Sequence, residues 1–196
     1  MNNISTKNSK DDWLNFTLTV LVEKGPDALK IIPLCKLKGV SKGSFYHHFK
    51  NRAEFIELLM AYWFKKMTVD FIEQANTESS PLERLQKLDT IIAGHNLLTE
   101  LHIRAWALKE PKIAEHLGFI DSQRQQYLSQ CYVELGIEKL LADDIAVMAY
   151  SSFLGMQQIY PRLPIETVLR VTTLGSKKFI EDHLNSLNIN NAMERF

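Results

Sequence analysis

A chain of 196 residues with 45% hydrophobic and 23% charged side chains is long enough for one large or two small domains with a buried core. Its zero net charge hides an asymmetry: residues 1–66 carry 11 Lys or Arg against 6 Asp or Glu, and residues 67–196 carry 12 against 17. A basic first third joined to an acidic remainder directs a polyanion to the first part only. Cys35 and Cys131 form no Cys-x-x-Cys pair, which argues against a disulfide framework and a zinc site, and a reducing cytoplasm is the expected location. No apolar run reaches the ~20 residues that a membrane span needs, and the first twelve residues are polar, unlike a secretory signal.

Residues 1–10 are expected to be a flexible arm, since Asn, Ser and Lys dominate them. From Asp11 to Lys24 the spacing predicts a helix with Trp13, Leu14, Leu18, Leu21 and Val22 inward, ended by Gly25-Pro26. A second helix is predicted over 31–37 with Ile31, Leu34 and Cys35 inward. Lys30 stands where its cap should be, and Pro33 at its third position disfavours helical geometry at Ile32, which predicts a late or irregular start.

The segment Gly39-Val40-Ser41-Lys42-Gly43-Ser44-Phe45-Tyr46-His47-His48-Phe49 carries the most information. Gly39 can adopt the positive φ that closes the second helix, Val40 pins the turn, and Ser41 is placed to cap a short third helix. Lys42, Gly43 and Ser44 leave its first turn free of bulky apolar groups, so its backbone can approach DNA closely. Phe45 and Phe49, four residues apart, share an inward face, while Tyr46 and His47 point elsewhere with groups that can bond phosphate oxygens. An ordinary helical hairpin would have the same outline. Charge argues against it: Ala28–Ala53 holds Lys30, Lys36, Lys38, Lys42, Lys50 and Arg52 and no Asp or Glu.

The run from Lys38 to Arg52 resembles the DNA-binding signature of TetR-type (TetR/AcrR) transcriptional regulators, and the likeness extends over about residues 11–60. The resemblance implies that the short helix enters the major groove, that Lys42, Gly43 and Ser44 approach base edges, and that Tyr46, His47 and Arg52 hold phosphates. Lys30, Ser41 and Lys50 complete the candidate interface. The family usually places a hydroxyl cap where Lys30 stands, so a phosphate contact there falls to the Lys30 ammonium or is lost.

Asn51 with Glu54 opens a long fourth helix through Phe55, Leu58, Leu59, Tyr62, Trp63, Met67 and Phe71, and Ser80-Pro81-Leu82-Glu83 is a second capping box. Further helices are predicted over 81–94, 97–109, 111–135, 140–160 and 165–185. The expected fold is all-α with about nine helices: a helix-turn-helix domain over 11–56, an effector-binding and dimerisation domain over 57–187, and a tail over 188–196.

Small DNA readers commonly present two copies to adjacent half-sites, so a homodimer on a double-stranded palindromic operator is expected. Ala149, Ser152, Phe153, Met156, Val171 and Gly175 on the last two helices are the candidate interface, and the resemblance implies pairing through these helices; packing within one chain is the alternative. Tyr62, Trp63, Met67, His102, Trp106, Tyr127 and Cys131 are candidates to line a pocket for a small apolar or aromatic effector. Aromatic residues at helical spacing also build ordinary cores. Arg104 could anchor a ligand anion or pair with Glu100.

No Gly-x-Ser-x-Gly, phosphate-cradling Gly-rich loop or His-Glu-x-x-His occurs, and His95 and His102 lack a third ligand, so neither catalysis, nor a cofactor, nor a metal is expected. The leading reading is a ligand-responsive repressor. The alternatives are a helical protein-interaction module and, with least support, an enzyme.

Overall fold

The computed structural model describes the backbone of residues 9–193, with only some side chains of the last helix beyond residue 175. Most of the expected arm and the final three residues of the expected tail lie outside the described residues. The helices are α1 (Lys10–Lys24), α2 (Ile31–Lys38), α3 (Lys42–His48), α4 (Arg52–Phe64), α5 (Asp70–Ala75), α6 (Pro81–Ala93), α7 (Leu98–Ala107), α8 (Pro111–Glu134), α9 (Lys139–Met156) and α10 (Ile165–Met193). A short 3₁₀ turn, Pro26–Leu29, follows α1, and a π-helical stretch, Lys65–Val69, joins α4 to α5 in one continuous rod. With that rod taken as one helix there are nine, and no strand occurs among the described residues.

Several boundaries depart from the sequence reading for local reasons. Ser9 caps α1 through a reciprocal box with Asp12, so helix begins at Lys10 rather than after it. The Pro33-containing α2 starts regularly at Ile31: Lys30 is extended, and Leu34 N–H donates to Lys30 O at 3.0 Å, so the amide that Pro33 lacks is one the helix start leaves unused. α10 continues to Met193, through the stretch expected to begin the tail. The π stretch has no signal in the apolar spacing; there the Asp70 N–H donates to Lys65 O, while the Asp70 carboxylate accepts from the ammonium groups of Lys65 (2.7 Å) and Lys66 (3.1 Å).

Two compact units result. The first contains the chain through Asp70 together with Asn96–Ile120; the second contains Phe71–His95 and the chain from Asp121 onward. The boundary expected at 56/57 falls inside the first of these units. Phe55, Ile56, Leu59, Met60 and Trp63 of the fourth helix enter the same core as Trp13, Leu14 and Leu21 of α1, and that core also takes Ile103 and Trp106 of α7 and Ile113, Leu117 and Ile120 of α8. Apolar spacing marks the inward face of each helix but not which distant helix will cover it. The second unit has a smaller core of Tyr132, Ile137, Ala142, Ile145, Ala146 and Ile180. Among the described residues no helix is long and apolar enough to cross a membrane.

Candidate nucleic-acid interface

The turn before α3 forms as its residues dictate. Gly39 adopts φ 72° and ψ 32°, a left-handed conformation that a side chain would strain, and Val40 N–H donates to Cys35 O at 3.0 Å. Ser41 Oγ accepts from the Ser44 amide at 3.3 Å and caps α3. The helix is then held from behind by rings. Phe45 and Phe49 are fully buried, with centroids 5.7 and 6.2 Å from Trp13 and 5.2 and 4.9 Å from Phe55. Seven residues are too few to hold a helix in water, so this aromatic packing supplies what propensity does not.

The opposite face is open. Lys42, Gly43, Tyr46 and His47 are exposed and Ser44 is half-buried. A methyl group at Gly43 would meet only Ser41 Oγ at 3.5 Å, an ordinary contact. The protomer itself therefore does not require glycine there, although glycine weakens a helix.

The basic groups divide by partner. Lys38 turns inward, its ammonium 4.7 Å from the Phe16 ring centroid and 5.2 Å from that of Trp13. Lys30 pairs with Asp27 at 3.0 Å and Lys50 with Glu54 at 3.8 Å. Arg52 reaches Glu110, 58 residues on, at 3.5 Å. The sequence reading missed the roles of Lys38 and Glu110. Neither has a local signal, because each depends on a partner from another element.

Residues 14–59 match the family model described as bacterial regulatory proteins, tetR family. Over this stretch, which holds α2, α3 and parts of α1 and α4, the chain is similar to the TetR family. The HTH-type transcriptional repressor KstR2 of Mycolicibacterium smegmatis is 27% identical over 79 residues, 40% of this chain and 38% of that protein. The match thus spans well under half of the curated relative's length. A TetR-family regulator from a Rhodococcus species has the same fold at TM-score 0.72 and 19% identity, covering 87% of this chain and 97% of the other. The regulator FadR of Bacillus subtilis, solved in complex with stearoyl-CoA, aligns at TM-score 0.57 and 18% identity over 84% of this chain and 97% of its own.

Outside residues 14–59, the candidate pocket residues are divided between the two units. Tyr62, Trp63, Met67, His102 and Trp106 belong to the first unit, and Tyr127 and Cys131 to the second. Trp63 and Trp106 are residues of the first unit's core, and Tyr62 and Met67 pack against that core while partly exposed. His102 is half-buried. In the second unit the Tyr127 hydroxyl donates to Asn76 Oδ1 at 2.9 Å, and burial pushes the ionisation of both Tyr127 and Cys131 upward. Arg104 pairs with the buried Glu100 at 2.7 Å, the alternative to anchoring a ligand anion.

Of the dimer candidates, Ser152 and Val171 are exposed, Phe153 and Met156 half-buried, and Ala149 buried. Ala149 is thus taken up within the protomer. At Gly175 an added methyl would lie 3.2 Å from Met148 Cε, a tight approach to the end of a flexible side chain of α9. Both helices still expose apolar side chains, among them Val147, Met148, Val171 and Leu174.

Proposed function

We propose that this protein is a transcriptional regulator that binds a palindromic operator as a homodimer and releases it when a small apolar or aromatic molecule binds its helical domain. The observation that carries the reading is α3: an exposed Lys42-Gly43-Ser44 turn with Tyr46 and His47 beside it, fixed from behind by Phe45 and Phe49. Glycine at 43 weakens the helix and relieves no clash inside the protomer, which fits a face kept bare for something outside it. Lys42 and Ser44 then face base edges, Tyr46, His47, Lys50 and Arg52 face phosphates, and Lys30 meets the backbone at the start of α2.

The apolar groups that α9 and α10 expose, Val147, Met148, Val171 and Leu174, support pairing of two copies. The effector acts by favouring a different position of the fourth helix, which leads directly from Asn51 beside α3, and so a different spacing of the two heads. The ligand must bind the two states with different affinity for this to occur.

Selection of bound fragments from a random duplex pool tests the reading: a roughly palindromic site should be enriched, and its absence counts against a dimeric reader. Lys42→Ala should relax discrimination between operator and random DNA, and Tyr46→Phe should weaken both alike. Binding must also fall steeply as salt rises; a protein-interaction module with apolar contacts would not show this. Leu174→Glu should give monomers in sedimentation.

A further inference from the structure

Three cations of the candidate interface already hold carboxylates, and the pairs differ in kind. Asp27 lies three residues before Lys30, and Glu54 four residues after Lys50, so each pair follows from local chain geometry. The partner of Arg52 comes from elsewhere in the fold. Glu110 stands in the turn between α7 and α8, and its backbone is fixed on both sides: its N–H donates to Trp106 O at 3.1 Å, and its carbonyl accepts from Ile113 and Ala114 at 3.0 and 3.1 Å. Trp106 and Ile113 are core residues, so the turn cannot shift without disturbing that core. Arg52 is the first residue of α4, directly after the Asn51 cap, where the positive end of the helix and the guanidinium together favour an anion. In the free protein the carboxylate that the Arg52 guanidinium holds is that of Glu110, while Glu54 lies in the first turn of α4 itself.

We infer that Glu110 is a built-in competitor for the DNA phosphate at Arg52. DNA binding exchanges the carboxylate for a phosphate oxygen, and the position of the α7–α8 turn sets how readily Arg52 is released. The inference rests on the DNA-binding reading and deepens it, by making affinity depend on a turn outside the helix-turn-helix. Both side chains are partly exposed, at 45% for Arg52 and 32% for Glu110, which keeps the pair weak enough for a phosphate to displace. An ion pair of this exposure shifts an equilibrium by about fivefold at most. The contact therefore trims affinity and does not abolish it.

The test compares the full-length protein with Glu110→Gln, Arg52→Gln and the double variant, measuring affinity for a fluorescent duplex recovered by selection, or for random duplex at low salt. Glu110→Gln should tighten binding about two- to fivefold when Arg52 is present and leave it unchanged in the Arg52→Gln background. Equal gains in both backgrounds would show a general relief of charge repulsion and overturn the inference, as would no gain at all. Thermal unfolding of the same four proteins without DNA supplies a second reading: the two substitutions should be coupled at low salt and independent at high salt. Absence of that coupling overturns the inference whatever the DNA result. If the wild type binds no duplex, the functional reading fails and takes the competition with it, whereas coupling in the free protein would still report the ion pair. Binding that ignores Glu110 overturns the competition alone.

Discussion

Around α3 the protein is held by interlocked rings, with Trp13, Phe45, Phe49 and Phe55 at centroid separations of 4.9–6.2 Å, whereas the contacts of α6, α9 and α10 combine small side chains with polar pairs. No residue of α6 is fully buried, and one of its links to α10 is a hydrogen bond from Thr173 Oγ1 to Asp89 Oδ2 at 3.3 Å. Tyr127 meets Asn76, Tyr150 meets Asp121 and Arg124, and Ser129 meets Asp143 in the same unit. A close-packed aromatic core tolerates little displacement, so it suits an element that must hold one geometry. A unit with a thin core and half-buried ionisable groups yields to smaller free energies, of the size a ligand or a proton supplies. Asp89 is the clearest case: burial pushes its carboxyl up to about 6, against the opposing effect of Thr173.

The largest test of this contrast is Phe45→Ala. Removing a fully buried ring that touches four aromatic neighbours should cost about 3–5 kcal/mol in thermal unfolding and abolish specific DNA binding. A loss below about 1 kcal/mol would mean that the rings do not lock α3 as argued.

Asp89→Asn probes the other region. The folded-state value of Asp89 lies above its unfolded value of 3.8, so between these values the folded protein keeps a proton that the unfolded chain releases. Stability from this group is present below about pH 4, falls as pH rises through about 6, and stays low above it. The substitution should therefore raise stability by up to about 3 kcal/mol near pH 7 and change little below pH 4, flattening the melting temperature against pH. A constant offset at every pH would place the cause in packing.

Tyr127→Phe removes the bond to Asn76 and should cost about 0.5–1.5 kcal/mol, measured by denaturant unfolding. No measurable loss would make this polar contact incidental. The smallest effect is expected from Lys38→Gln, which takes an ammonium off the Phe16 and Trp13 rings at a cost of about 0.5–1 kcal/mol. If it instead lowered DNA affinity with stability unchanged, Lys38 would have to be counted among the phosphate contacts.

Much of the first region was legible in the chain because its determinants are local. The positive φ at Gly39, the Ser41 and Asn51 caps and the inward pair Phe45 and Phe49 each act over at most four residues. The candidate pocket was less legible. Trp63 and Trp106 satisfy a helical stripe whether they line a cavity or fill a core, and the structure places them in the core. The small residues of α9 and α10 carried the same ambiguity: Ala149 is buried within the protomer and Gly175 lies against Met148, while Val147, Met148 and Leu174 stay exposed.

By itself the sequence determined the all-α class, most helix boundaries and a bare, basic helix face behind a glycine turn, because periodicity, capping and steric freedom are written in near neighbours. Tertiary structure alone decided that α7 and the start of α8 complete the core behind the helix-turn-helix, that Lys38 lies on aromatic rings and that Arg52 holds Glu110. Each of these joins side chains from different elements, and no spacing rule specifies which surfaces meet when the chain closes on itself.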